Sequence, residues 1–297
     1  MGDTMFEGAF VAIVTPFRKS EIDEDALRKL VEFQINEGTN GIVPCGTTGE
    51  SATLTYEEHN KVIDIVIDQA KKRVPVIAGT GSNSTHETIY FTKHAKEAGA
   101  DAALIITPYY NKPTQKGLYE HFKIIAENVD IPIIAYNVPG RTACNVLPET
   151  VIELSKIKNI VGIKEASLSL DQAAQIIKEA RKDFVLLSGE DSLTFPLLCL
   201  GAKGVISVAS NVVPRKMSEM CKYIKDKEYE KARDVHYDLF DLFKALFYET
   251  NPIPVKKAMY LMGLITDEIR LPLVSLSDEN TKKLKNVLIK TGINIVN

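Results

Sequence analysis

The chain has no tryptophan, and its four cysteines, Cys45, Cys144, Cys199 and Cys221, stand far apart with no CxxC pair among them. Scattered thiols exclude a disulfide framework and a cysteine zinc site, and they fit a reducing, cytoplasmic setting with free, mostly buried side chains. Histidines are also few; His59, His86, His94, His121 and His236 fall in helical segments, and none has a metal-ligand spacing such as HExxH. Neither a metal nor another cofactor is therefore expected. No block of like charges occurs and the net charge is −3, which argues against nucleic acid or an anionic membrane as the main partner. No apolar run is long enough to span a bilayer. Residues 1–6 are acidic, without a basic region followed by an apolar run, and do not read as a signal peptide.

What the sequence does contain is a repeated alternation. Its 297 residues, 45% hydrophobic and 25% charged, suffice for one large α/β domain or two ordinary ones. Short Val- and Ile-rich runs recur at 10–14, 41–43, 75–78, 102–106, 132–136, 160–164, 184–188 and 204–208. They are continuous rather than alternating, as parallel strands covered on both faces should be. Amphipathic segments separate them, for example 23–37 with Leu27, Leu30, Val31 and Ile35 on one side, and 56–71 with Val62, Ile63, Val66 and Ile67. Thr55 ahead of Glu58, and Pro148 ahead of Glu149, are helix-start signals. Eight strands alternating with helices predict an α/β fold of the (β/α)₈ TIM-barrel type. The segment after the first strand, Val14-Thr15-Pro16-Phe17, is not a Rossmann fingerprint. The expected division is a barrel over 1–212 and a C-terminal helical appendage over 213–297.

In such a barrel chemistry collects where strands run into βα loops. Those ends carry Thr15, the run 45–50 (Cys-Gly-Thr-Thr-Gly-Glu), Gly79-Thr80-Gly81, Thr107-Pro108-Tyr109-Tyr110, Tyr136-Asn137, Lys164-Glu165, Ser188-Gly189-Glu190-Asp191 and Ser207. Histidine is absent from this set, which disfavours a zinc aldolase. A glycosidase would need a second carboxylate opposite Glu190, where Tyr109 and Tyr110 stand instead. The last two loops lack a Gly-rich phosphate cradle, so an unphosphorylated substrate is favoured. Amine chemistry remains. Lys164 ends an apolar strand, and burial would lower its pKa and free the amine to attack a carbonyl; equally, it could mark where the strand meets water. Tyr136, ending the preceding strand, would place a phenol beside it for proton transfer. Gly46-Thr47-Thr48-Gly49-Glu50 reads either as a tight turn with a helix cap or as a carboxylate nest. Arg141 is either a solvated loop residue or a bidentate carboxylate ligand.

These motifs together resemble the dihydrodipicolinate synthases (4-hydroxy-tetrahydrodipicolinate synthases) of the N-acetylneuraminate lyase superfamily. The resemblance rests on Gly46-Thr47-Thr48-Gly49-Glu50-Ser51, Thr107-Pro108-Tyr109-Tyr110-Asn111, Tyr136-Asn137-Val138-Pro139-Gly140-Arg141-Thr142, Gly162-Ile163-Lys164-Glu165-Ala166 and Asn251-Pro252-Ile253-Pro254-Val255-Lys256. It implies a lyase in which Lys164 forms an imine with pyruvate while Thr48, the Ile206 backbone and Gly189 hold that substrate. Tyr136, Thr47 and Tyr110 would relay protons, with Tyr110 entering from a neighbouring subunit of a homo-oligomer, usually a dimer of dimers. Arg141 would receive the carboxylate of L-aspartate-4-semialdehyde, at the first committed step of lysine and diaminopimelate synthesis. The motifs shared across the superfamily leave a sugar-acid aldolase as the alternative; Thr47-Thr48, Tyr109-Tyr110 and Arg141 favour the synthase. Ser51, Ala52, Tyr56, His59, Asn83, Glu87 and Tyr109 match the feedback site for L-lysine, with Tyr56 where many lysine-sensitive bacterial enzymes carry histidine. Without the resemblance, His59 and Glu87 read as solvent-facing helix residues.

Overall fold

A computed structural model of the protein describes residues 5–296. Most of the acidic stretch 1–6 therefore lies outside the described residues. Eight parallel strands form the centre: β1 Gly8–Ala12, β2 Gly41–Val43, β3 Ile77–Gly79, β4 Ala102–Ile106, β5 Ile133–Asn137, β6 Ile160–Glu165, β7 Val185–Ser188 and β8 Gly204–Ser207. Each pairs with its sequence neighbour from β3 to β8, and β8 pairs with β1, which pairs with β2. The remaining seam closes through a parallel bridge between Ile42 and Val76, with the Gly79 N–H donating to the Pro44 carbonyl at 2.9 Å. The result is a (β/α)₈ barrel, as the alternation predicts.

The helices that follow the strands are α1 Glu24–Asn36, α2 Tyr56–Ala70, α3 Thr85–Ala98, α4 Gln115–Asn128, α5 Pro148–Ser155, α6 Leu170–Glu179, α7 Thr194–Leu200 and α8 Pro214–Lys225. Their starts are locally encoded. The side chains of Asp23, Thr55, Ser84, Thr114 and Ser169 each accept an N–H from the first turn, and Thr55 with Glu58 completes a capping box. Two apolar layers result. Phe10, Val43, Ile77, Leu104, Ile134 and Leu187 fill the barrel, whereas Leu27, Val66, Phe122, Ile163 and Met217 seal the helices onto its outside.

Strand limits depart from the hydropathy pattern for a physical reason. β1 starts two residues before the predicted run and stops at Ala12, although Ile13 and Val14 are buried. The Val14 N–H donates to the side chain of Asn211 rather than to a strand. Hydrophobicity reports burial, not ladder pairing. Pro75 and Pro132, which open two predicted runs, precede the strands they were expected to start, because proline brings no N–H to the ladder. The first βα loop also contains a short hairpin, Phe17–Arg18 against Glu21–Ile22, with Lys19 and Ser20 at positive φ. The Glu268 carboxylate accepts both of their amides, at 2.8 and 3.0 Å.

Glu268 belongs to the tail, which holds α9 Tyr229–Ala245, α10 Ile253–Leu261 and α11 Asp278–Lys290. α9 packs on α8, while α10 reaches the turn just beyond β8. There Lys256 of α10 is buried and pairs with buried Glu50 of the second βα loop, also donating to the Thr15 carbonyl at 3.0 Å. The second oxygen of Glu50 accepts the Arg270 N–H at 3.1 Å. A buried pair gives little net stability as a whole, but loss of one partner strands the other charge. Lys256→Met is therefore expected to lower unfolding free energy by about 3–5 kcal/mol in urea titration, and adding Glu50→Gln to it should recover a large part. A double variant no more stable than the single one would show that the pair is not the source of the loss.

Candidate active site

The barrel register sets Tyr136 of β5 directly beside Lys164 of β6. Lys164 is only 7% exposed, and its Nζ lies 4.1 Å from the centre of the Tyr136 ring. Among the described residues it forms no ion pair. Burial is the main reason its pKa falls from 10.5 to about 8; Asp191 and Glu190 pull it back up and Arg141 pushes it further down. Such an amine is neutral in a substantial fraction of molecules near neutral pH, which an exposed lysine is not. Tyr136 is buried too, and burial raises its pKa, opposed by Arg141 and by a hydrogen bond with the Thr47 side chain. Lys164 thus meets the face of the Tyr136 ring, and the hydroxyl of Tyr136 meets Thr47. The reading of Lys164 as a solvent-reaching strand end does not survive its burial.

Thr47 sits in a folded loop rather than an open one. The amides of Gly49 and Ser51 turn back on the Gly46 carbonyl and that of Glu50 on Thr47, while the Thr15 hydroxyl donates to the Gly49 carbonyl at 2.7 Å. Those bonds leave the amides of Thr47 and Thr48 as the donors a carboxylate could use. Glu50 holds a left-handed conformation, φ 56°, uncommon for a residue with a side chain. Its clamped carboxylate is what keeps it there. The Thr48 hydroxyl receives the Nδ2 of Asn251 at 3.0 Å, and Asn251 stands just ahead of α10. The Arg141 guanidinium, on a one-turn helix after β5, donates to the Asn251 carbonyl at 3.2 Å.

The loops after β7 and β8 complete the enclosure. A Cβ on Gly189 would lie 3.1 Å from the Lys164 Cε and 2.8 Å from the Ala166 Cβ, so glycine is what leaves the lysine stem its place. Ile206 is buried in β8, and the segment beyond it is held by Asp191, whose Oδ2 accepts the Val208 and Ala209 amides at 3.0 and 2.8 Å. Burial, first of all, raises the Asp191 pKa to about 6 against these hydrogen bonds.

Thr47, Tyr136, Arg141 and Asn251 line a cavity of about 470 Å³ whose wall also includes Ser51, Ala52, Tyr56, His59, Glu87 and Tyr109. In that wall Glu87 accepts from the Tyr56 phenol and from Ser82. The Asn83 carbonyl accepts from Asn111 at 2.9 Å in the neighbouring loop. His59 is not the solvent-facing helix residue its position alone suggests. It is buried, stacked 4.1 Å from Phe91, and burial lowers its pKa to about 4, so it stays neutral. Tyr110 is 89% exposed at φ 76° and is not in the wall of this cavity. Asn251, Lys256 and Asp191 had no role assigned from residue type; only the motif at 251–256 pointed to the first two.

The Dihydrodipicolinate synthetase family matches residues 5–291. The 4-hydroxy-tetrahydrodipicolinate synthase of Syntrophus aciditrophicus (strain SB) is 58% identical over 289 residues, 97% of this chain and 99% of the relative. A crystal structure of dihydrodipicolinate synthase from Aquifex aeolicus superposes with a TM-score of 0.97 at 52% identity, over 98% of this chain and 100% of that one. The enzyme from Cyanidioschyzon merolae, solved with lysine bound, superposes with a TM-score of 0.96 at 40% identity, over 98% and 100% of the two chains.

Gly189→Ala should reduce turnover measurably but by less than the about 100-fold that a full ångström of misplacement brings, since the Lys164 Cε need give only a few tenths of an ångström. Its cost in urea unfolding should stay within about 3 kcal/mol, the range for overpacking. Unchanged turnover would show that the lysine stem is not confined there.

Proposed function

The chain belongs to the Dihydrodipicolinate synthetase family, and we infer that it condenses pyruvate with L-aspartate-4-semialdehyde to give 4-hydroxy-tetrahydrodipicolinate, the first committed step of diaminopimelate and lysine synthesis. The observation that carries the catalytic reading is the buried amine of Lys164, without an ion-pair partner and with its pKa near 8, against the Tyr136 ring. Its neutral form attacks the keto carbon of pyruvate, giving a carbinolamine that loses water to become an imine. Tyr136 and Thr47 carry the protons exchanged in that dehydration. Thr48 and the free amides of its loop receive the pyruvate carboxylate, and the strand-end backbone at Ile206 with Gly189 confines the other side of the keto acid. Loss of a methyl proton yields an enamine, whose carbon attacks the aldehyde of the second substrate and forms the new C–C bond. The amino group of that substrate then adds to the imine carbon and expels the Lys164 amine as the ring closes. Net, one pyruvate and one semialdehyde become product and water.

Arg141 is the cation at the acceptor end of the cavity, and a carboxylate on the aldehyde is its natural partner. The exposure of Tyr110 supports a homo-oligomer, with this phenol completing the proton relay of a neighbouring subunit and two such dimers forming the full assembly. The cavity wall at Tyr56, His59 and Glu87 is proposed to take L-lysine, supported by the lysine-bound relative. Its carboxylate would receive the ligand's ammonium, and the aromatic faces its stem. Tyr56 already hydrogen-bonds Glu87, so an incoming ammonium must compete with that phenol.

Borohydride added with pyruvate should fix a mass adduct on Lys164; its absence overturns the Schiff-base reading. The trapping rate should rise about tenfold per pH unit below pH 8 and level off above it, because the neutral amine is the nucleophile. A rate that falls with rising pH through that range would contradict it. Arg141→Ala should raise KM for the semialdehyde about tenfold or more while trapping persists. Turnover with a sugar aldehyde alone would point instead to a sugar-acid aldolase.

A further inference from the structure

Strand alternation puts Tyr136 and Lys164 on one face of β5 and β6, and Asn137 and Glu165, also paired in register, on the other. Both of the latter are buried, and Glu165 is not in the wall of the cavity. Its carboxylate accepts the Ser167 amide at 2.6 Å, Gln172 Nε2 at 3.0 Å and Asn137 Nδ2 at 3.2 Å. Gln172 stands on α6, and its Oε1 accepts Asn145 Nδ2 at 2.9 Å. Asn137 donates also to Asn145 Oδ1 at 2.7 Å, and its own Oδ1 accepts the Val146 amide at 3.1 Å.

An ionised carboxylate only accepts hydrogen bonds, and this directs the rest of the cluster. Gln172 must turn its NH2 group to Glu165, which leaves Oε1 for Asn145. Asn137 must do the same, which leaves Oδ1 for the Val146 amide. A neutral amide at position 165 would impose neither orientation. What the cluster closes is the loop 138–146, with Asn137 at its start, Asn145 and Val146 at its end and Arg141 at its middle. Between those ends the loop folds on itself: the Arg141 and Thr142 amides return to the Val138 carbonyl, and that of Ala143 to Pro139. Residues after β4 and at the start of α4 also hold it, through Thr107 with Thr142, Pro108 with Cys144 and Gln115 with Asn145. On the side of β6 and α6 the loop rests on the Glu165 cluster. Arg141 thus reaches the Asn251 carbonyl at 3.2 Å from a base that Glu165 secures.

We propose that Glu165 is a positioning residue for the second substrate: through Asn137, Gln172 and Asn145 it holds the loop that presents Arg141 to the aldehyde's carboxylate, without touching either substrate. The proposal rests on the condensation and on the role of Arg141 assigned above. Two residues adjacent in sequence then serve different substrates, Lys164 acting on pyruvate and Glu165 acting on the acceptor end from the opposite face of the strand.

Glu165→Gln should raise KM for aspartate semialdehyde about tenfold while the rate of borohydride trapping with pyruvate stays nearly unchanged. General damage to β6 would not give that split, because Lys164 is the next residue. Combining Glu165→Gln with Gln172→Glu exchanges carboxylate and amide across one hydrogen bond, and should recover most of the loss. Gln172→Met removes the link from Glu165 to Asn145 on a helix rather than beside the lysine. It should raise the same KM by a similar factor, and it serves if the Glu165 variants fold poorly. Trapping lost in parallel with KM, or a double variant no better than Glu165→Gln, would overturn the proposal by reducing Glu165 to a support of its strand. Two controls separate the levels. If the unsubstituted protein gives no adduct, the condensation reading fails, and if Arg141→Ala leaves KM unchanged, the assignment of Arg141 fails; the proposal falls with either. If both controls behave as expected and the Glu165 and Gln172 variants leave KM unchanged, only the role of Glu165 is lost.

Discussion

The contact between Glu50 and Lys256 is the constraint on which the cavity depends. The two residues are 206 positions apart, one in the second βα loop and one on α10, the second helix of the tail. Removing both charges from water is unfavourable, and the site tolerates it because little is left unsatisfied. Glu50 also takes the Arg270 amide, while Lys256 donates to the Thr15 carbonyl and lies 4.4 Å from the Phe17 ring. With its carboxylate fixed from the tail side, Glu50 can remain left-handed, and the turn before it presents Thr47 and Thr48 inward. The same anchoring sets the start of α10, so that Asn251 meets Thr48 on one side and Arg141 on the other. One pair thus aligns three segments that share no local sequence relation.

Two buried lysines within one fold show how surroundings divide structure from chemistry. Lys256 has a carboxylate in contact and a backbone carbonyl to satisfy its ammonium, so it acts as a fastener. Lys164 has neither. It is enclosed by an aromatic face, with Asp191 and Glu190 acting on it only at longer range and Arg141 opposing them. The balance leaves its amine able to lose a proton near neutral pH, which the proposed imine chemistry requires. Residue type alone distinguishes none of this, since either lysine could occupy either role.

The parts of this arrangement written locally were legible. Continuous apolar runs separated by amphipathic helices announced the parallel barrel, and caps such as Thr55 with Glu58 marked helix starts within a residue. Because strand order follows chain order, adjacency of Tyr136 and Lys164 could be anticipated from position alone. The exact strand limits could not, as Val14 shows: burial by a loop and burial by a ladder leave the same hydropathy. His59 misled for a related reason, because a polar residue on a helix is buried here by Phe91 and the barrel end, which its own helix does not encode. The bond from Asn251 to Thr48 spans 203 positions. No periodicity records such a contact, and an asparagine before a proline looks like any turn.

The two substrate ends are built from different material, and that has consequences for how such a fold can change. The groups assigned to pyruvate chemistry, Lys164 and Tyr136, stand on paired strands, where moving either would disturb the barrel register. The group assigned to the acceptor, Arg141, stands on a one-turn helix and is joined to the approach to α10 by a single side-chain to backbone bond. Substitution there alters the cavity wall without moving a strand. A barrel of this kind can therefore keep one activated lysine and exchange the aldehyde it accepts, since nucleophile and specificity lie on elements of different rigidity. Gly189 marks the boundary between them, a loop residue whose missing side chain serves the strand lysine.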